Sequence, residues 1–465
     1  MNNIEARHKS ILIILLGLNL ILNLLLFYNT TSFFVSEAGS NYDFLKAIEN
    51  GEKPALFESS YRSILAYIGY FFKAVTGTLD AFFWFQGLLA TLSVYILYLI
   101  CLKVTDKKIT ALFSVLLATI LLDYHLLTPV FYYQIFEIFF VLLVIYLVLL
   151  MIEKKKIMKS IGVLIAPVVI YFSVYFRSML LYFWLLLIIM SIFVILKKEY
   201  QLFWRLAATG AITLILFTIL PHSNYRNMDR PPVNDFIFFG HTLYGGDGGE
   251  GAFIYEENQV RYKEKLEEFM IKHNYDLLTN RIRNEFQRNE IKEFISKTPH
   301  KWLWLQVRKV AYTFGIVPVR DSLKLLTTGK LHLKWYLSAF IIQVPYAIIL
   351  LIFVVLIVLF FKVTDINNIK LLFMFSVLFY LIAGTCLYGH YQERYRHVVI
   401  LAGILPISAF YFSKFIDWFS QRSIKRGRFI LLILILFIIL SHWSYQVYDA
   451  LVLNKERFIN AANHF

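Results

Sequence analysis

Ionisable side chains set beside or inside apolar runs are costly to place, so their positions carry chemical information. Asp123 and His125 close one such run, and Glu137 lies about two turns into the next, with Gln134 one turn nearer its start. Arg177 interrupts a later apolar stretch. His390, Glu393, Arg394, Tyr395 and Arg396 crowd the gap between two runs near the end of the chain. Glu37, Asp43 and Glu49 fall in the first long polar stretch. Carboxylates of this kind can take a proton from a hydroxyl, and guanidinium forks match the oxygens of a phosphate. The plainer reading makes an arginine at the end of a run a headgroup anchor. Glu137 resists that reading, because a carboxylate within an apolar run needs a partner or water.

Other motifs carry less. The cluster Gly245-Gly246-Asp247-Gly248-Gly249-Glu250-Gly251 lacks the Lys-Ser/Thr that follows a phosphate loop and reads as a flexible turn. Cys101 and Cys386 are far apart in apolar segments, which argues against a disulfide framework or a cysteine-ligated zinc. The outer acids can bind a divalent metal, but no ligand spacing demands one, so the cofactor is unknown. Asn29-Thr30-Thr31 fits a glycosylation acceptor and is assigned no role.

The elements that position these groups follow from composition. Of 465 residues, 59% are hydrophobic and only 17% charged, against about 45–50% and about 25% in a soluble domain. The chain reads as an all-α polytopic membrane protein. Apolar runs at about 10–27, 81–102, 109–127, 131–151, 160–176, 178–196, 203–220, 337–361, 370–388, 397–413 and 429–446 give about 11 transmembrane helices. The interval 160–196 reads alternatively as one span with a re-entrant piece. The formal charge of +15 sits largely in short loops, where the positive-inside bias accounts for it without nucleic acid. Alternating sides from a cytoplasmic N-terminus puts Lys103, Lys107, Lys108, Lys154 to Lys156, Lys197, Lys198, Lys362 and Arg422 to Arg428 inside.

Two polar intervals then fall outside. One is the first loop, 28–80, whose segment Tyr61 to Val75 has the spacing of an interfacial amphipathic helix. The other is 221–336, with a charged helical pattern from Glu256 to Lys297, followed by the aromatics Trp302, Trp304 and Phe314. Three regions result: an N-terminal membrane module at 1–220, the large outer loop at 221–336 and C-terminal membrane helices at 337–465. No ionisable residue marks the centre of a span, and all gather at the outer ends. That geometry predicts a cavity opening at the outer leaflet.

The order of these features resembles the GT-C class of integral-membrane glycosyltransferases, in particular bacterial relatives of protein O-mannosyltransferases and aminoarabinose transferases. The resemblance rests on Glu37 before Tyr42-Asp43, Ala47 and Gly51, then on Gly77 and the run Phe82 to Ile100. It continues with Glu137 early in the fourth span, Arg177 closing the fifth, and Glu393-Arg394-Tyr395 with Pro406. Two departures stand out. Ser36-Glu37 replaces the family's frequent Asp-Glu pair, and Arg396-His397 displaces its proline after Arg-Tyr.

The resemblance implies transfer of a sugar from a polyprenyl-phosphate donor to a lipid-linked, glycan or protein acceptor, at the outer face of a bacterial plasma membrane. Glu37 or Asp43 would be the base. Glu137, Arg177, His390, Glu393, Arg394, Tyr395 and Arg396 would bind substrate and phosphate. A donor held in the bilayer removes the need for a nucleotide-binding domain. Two rivals are a polymerase or ligase of lipid-linked glycans, which would hold an acceptor oligosaccharide lipid in the cavity, and a polytopic transporter. A transporter should line a polar path across the bilayer and often shows internal repeats; this sequence shows neither.

Overall fold

The computed structural model describes residues 2–30, 38–52, 60–153, 156–174, 176, 178–220, 238, 240–242, 256–316, 325–326, 333–384, 395–419 and 426–448. They are mostly helical, with no strand among them. The order is α1 (Asn2–Asn29), α2 (Ala38–Glu49), α3 (Ser60–Thr76), α4 (Asp80–Thr105), α5 (Lys108–Ile120), α6 (Leu122–His125), α7 (Gln134–Ile152), α8 (Lys156–Ser173), α9 (Phe183–Leu196) and α10 (Tyr200–Ile219). There follow α11 (Glu256–Lys272), α12 (Asn280–Lys297), α13 (Pro299–Thr313), α14 (Trp335–Phe360), α15 (Ile369–Ile382), α16 (Arg396–Phe419) and α17 (Arg426–Tyr448). Within α16, residues Ile400–Ile404 are wound as a π-turn.

Seven helices are long and apolar enough to cross a bilayer: α1, α4, α7, α10, α14, α16 and α17. The other four apolar runs hold shorter apolar helices, Lys108–Ile120, Ile161–Ser173, Phe183–Leu196 and Ile369–Ile382. The chain is therefore a helical, multi-pass membrane protein.

It divides into two compact units. The first comprises residues 1–222, 316–378 and 397–465; the second comprises 223–315 and 379–396.

In the first unit, one end of the helices forms a basic rim. Lys108 at the start of α5 pairs with Glu5 of α1 at 2.7 Å, and Lys103 near the end of α4 pairs with Glu153 just past α7 at 2.7 Å. Lys107 pairs with Asp417 of α16 at 2.6 Å, and Lys414 with Asp365. Several cations also meet carbonyls left open at helix C-termini: Lys370 donates to Lys103 O, Arg205 to Met151 O and Arg428 to Leu359 O. Cations there oppose the negative end of the helix dipole. Ends and starts alternate around this rim, which is where the short basic loops of the sequence converge.

Away from the rim, α1 is fastened by neutral polar side chains. Asn19 and Asn23 lie one turn apart on one face and are fully buried, while Ile13, Ile14, Leu18, Ile21 and Leu25 are exposed. Asn23 Nδ2 donates to Gly87 O of α4 at 3.1 Å and meets Thr91 Oγ1 at 3.3 Å. The Thr91 hydroxyl shares its proton between Asn19 Oδ1 at 2.9 Å and Gly87 O at 3.0 Å. A Cβ on Gly87 would stand 3.4 Å from Asn23 Cβ, ordinary contact, so the two helices are close here but not so close as to demand glycine. Such amides bind helices in a medium where apolar side chains gain nothing by leaving lipid.

The second unit has its own small core of Phe238, Leu266 and Phe286, flanked by Tyr262, Phe269 and Ile291. The charged pattern from Glu256 to Lys297 is two helices, not one. Asn274 takes a left-handed φ of 51° between them, and the Thr279 side chain caps α12 by accepting from Ile282 N at 3.3 Å. Lys265 and Glu290 join the pair at 2.8 Å. On α13, Lys309 is buried and donates to Gly240 O at 2.7 Å, and Trp302 Nε1 donates to His241 Nδ1 at 3.0 Å. Leu303, Trp304 and Val307 face outward.

Replacing Asn23 by Leu should lower stability by about 1–3 kcal/mol, because partners on α4 and α6 lose their donor or acceptor together. Reversible unfolding in detergent micelles reads the difference. Unchanged stability would mean that apolar packing alone holds α1.

Candidate functional site

Between α5 and α7 the chain stays inside the protein without forming a continuous helix. Every residue from Asp123 to Ile138 is buried, although regular helix covers only α6 and the start of α7. Loops usually run over a surface because their backbone groups need partners. At membrane depth, irregular backbone survives only where protein supplies those partners.

Side-chain amides do so here. Gln86 Nε2 donates to Thr128 O at 3.1 Å and to Val130 O at 2.9 Å. Asn41 Nδ2, from α2, donates to Phe131 O at 2.8 Å. The Thr128 hydroxyl donates to His125 O at 2.8 Å, and Tyr132 N to Val130 O at 2.7 Å.

Aromatic rings fill the space around these bonds. Phe131 meets Phe82 edge-on at 4.8 Å, and Phe136 stacks on Phe176 at 4.8 Å. The Phe131 ring also lies over Gly69 of α3, where an added Cβ would come within 2.9 Å of Phe131 Cζ. An alanine at position 69 would therefore push the Phe131 ring away from α3.

Two buried histidines terminate polar chains at this loop. His125 Nδ1 is 2.7 Å from Asn23 Oδ1, and its Nε2 is 3.1 Å from Thr119 O. Asn23 turns its nitrogen to Gly87 O and its oxygen to His125 Nδ1, while Asn19 Nδ2 stands 3.5 Å from His125 Nε2. His397, one residue into α16, places Nε2 2.9 Å from Asp123 Oδ2, both side chains being shielded from solvent. Burial of either group alone would be severe, and each supplies the other's partner. Among the described residues, no three His, Cys, Asp or Glu side chains converge as a metal site.

The residues singled out by sequence fall as follows. Glu137 is buried in the first turn of α7, three residues after the equally buried Gln134 and on the same face. Asp43 is exposed on α2. It stands two residues from Asn41, so the helix turns it away from the loop that Asn41 holds. In the same helix pair, Glu49 bonds Lys73 of α3 at 2.7 Å, and that hydrogen bond raises the lysine's pKa above its ordinary value. Tyr395 and Arg396 are buried at the start of α16, and Arg396 is the largest fully buried side chain among the described residues. Glu37, Arg177, His390, Glu393 and Arg394 lie outside the described residues, as does the glycine cluster at 245–251.

The structure adds groups that a search for charge passes over. Asn19, Asn23, Asn41, Gln86 and Thr91 are neutral, and His397 stood out only as a departure from a motif. The available signal was the pair Asn19 and Asn23, four residues apart inside an otherwise apolar run.

Compared with known proteins, the chain matches no protein-family model and no curated protein sequence.

A double-mutant cycle tests the buried pair. Asp123→Asn and His397→Gln should each destabilise by about 3–5 kcal/mol, the range for stripping one partner from a buried ion pair. The double variant should lose clearly less than the sum of the two. Strict additivity in detergent unfolding would show that the two groups are not coupled.

Proposed function

We propose that this protein is a membrane glycosyltransferase of the GT-C type, moving a sugar from a polyprenyl-phosphate donor to an acceptor hydroxyl at the outer leaflet. One observation carries the reading beyond the sequence resemblance. Asp123, His125, Glu137 and His397, the carboxylate and histidine side chains buried among the described residues of the first unit, all lie at the end of the bundle away from the basic rim. Such a distribution supports a site opening at one face of the membrane. A conduit across it would spread such groups along its length.

With the basic rim inward, the buried loop, α2 and α3 face outward. In this scheme eleven helices cross the membrane, the four short apolar ones included, and α3, α11, α12 and α13 belong to the outer loops. The membrane is a bacterial plasma membrane.

In the reaction, the acceptor oxygen bonds to the anomeric carbon as that carbon's bond to the lipid phosphate oxygen breaks. The phosphate leaves with the electron pair. Glu37, or Asp43, takes the hydroxyl proton. Arg177, Arg394 and Arg396 hold the phosphate as its negative charge develops. Glu137, His390, Glu393 and Tyr395 complete the binding surface. Asp43's exposure and the direction it faces favour Glu37 as the base.

Turnover of a polyprenyl-phosphate hexose in proteoliposomes tests the reading. Glu37→Gln should slow release of polyprenyl phosphate roughly 10²–10⁴-fold, the range for general-base catalysis, while Asp43→Asn stays closer to wild type. Near-normal turnover in both variants would remove the first loop from the chemistry. Absence of sugar transfer by the wild-type protein, across hexose and pentose donors, would sink the proposal.

Topology gives a separate check. A cysteine placed at Ser40 should react with an impermeant thiol reagent in intact cells, and one at Lys155 should not. The reverse pattern would invert the scheme.

A further inference from the structure

The amides that hold the buried loop have a second end. Gln86 and Asn41 are both fully buried, and their nitrogens face the carbonyls of Thr128, Val130 and Phe131. Flipping either amide would set oxygen against oxygen, so the orientation is fixed by the loop. Gln86 Oε1 and Asn41 Oδ1 are therefore committed acceptors, and both are buried without a donor. Gln134, 2% exposed, has neither a donor for its Oε1 nor an acceptor for its Nε2.

These four atoms belong to side chains that are held by, or part of, the single stretch 128–134. An unmade bond of this kind is costly in a buried setting, because the group has given up its water and gained no partner. Native proteins keep such groups apart or give them a ligand. Two fixed acceptors and one free amide gathered on one short stretch suit a molecule offering neighbouring hydroxyls, because an amide can accept from one hydroxyl and donate to the next. Glu137, three residues after Gln134 and on the same face of α7, adds a carboxyl group.

We propose that Asn41, Gln86 and Gln134 form a subsite that reads the hydroxyl groups of the donor's sugar. This rests on the glycosyltransferase reading above. Asn41 and Gln86 accept from sugar hydroxyls while their nitrogens keep the loop in place, so the same residues that build the site also select for a polyhydroxylated ligand. Gln134 has no structural bond to lose, and its only work is with the ligand.

That difference makes Gln134 the residue to change, since variants of Asn41 or Gln86 would also release the loop. The experiment measures binding of two probes to the purified protein in nanodiscs: polyprenyl phosphate, and the same lipid phosphate bearing a hexose. Wild type should bind the sugar-bearing lipid at least about tenfold more tightly, the worth of one to two hydrogen bonds. Gln134→Met should erase most of that margin and leave the affinity for bare polyprenyl phosphate as it was. Without ligand, Gln134→Met should unfold at the same temperature as wild type or higher, because an unpartnered amide has been replaced by an apolar chain of similar length.

Four results would overturn the subsite. If Gln134→Met keeps the full margin, or unfolds at a clearly lower temperature without ligand, the amides hold internal water only. Should wild type bind both lipids equally, the sugar is not read here, although a phosphate site would stand. If wild type binds neither lipid, the glycosyltransferase reading fails and the subsite falls with it.

Discussion

A peptide carbonyl buried away from water must find a donor, and Gln86 supplies one to each of two carbonyls of the same loop. Without that amide, Thr128 O and Val130 O would be stranded among phenyl rings, and the stretch from Asp123 to Tyr133 could not remain both irregular and buried. Asn41 adds a third bond and in doing so fastens α2 to the loop. The helix carrying Asp43, the loop and the start of α7 with Glu137 are thus one connected piece. The chemistry proposed for this protein depends on that connection, since a base and a phosphate site are useful only when held in register.

The two ends of the helical bundle are built on different principles. At the basic rim, ion pairs such as Lys108–Glu5 and Lys107–Asp417 are well exposed, and exposed pairs add little stability. In the proposed topology their cations matter instead as the charges that keep this end of the bundle inward. At the opposite end Asp123 and His397 are buried and matched to each other, while the first-loop helices keep Asp43 exposed and pair Glu49 with Lys73 at the surface. Rearranging the rim would be tolerated; removing one buried partner would not.

Much of the helical plan is legible in the sequence, and the exceptions have one cause. Hydropathy reports burial, not helicity. The run 109–127 reads as a span, but its helix stops at Ile120 because the apolar residues that follow line a buried loop. The span expected from 131 begins as helix at Gln134 for the same reason. By contrast, the amphipathic pattern from Tyr61 to Val75 coincides with α3, where spacing and not mean hydropathy carried the signal. At the site, charge drew attention to Glu137 and Arg396, both of which are buried. It could not reveal Gln86 or Asn41, since a neutral amide looks like any polar residue until its carbonyl partners are known.

The fastening of α1 has a consequence for how the protein is made. Asn23 must wait for Gly87, 64 residues later, and for His125, 102 residues later. At roughly 5–20 residues per second of synthesis, α1 spends several seconds in or beside the insertion machinery with its amides unmatched. The bond from Asn23 Nδ2 to Asn19 Oδ1 at 3.3 Å lets the two residues shelter each other in the meantime. A chain with only one of them would expose a bare amide to lipid during that interval, so the pair serves the nascent protein before it serves the finished one.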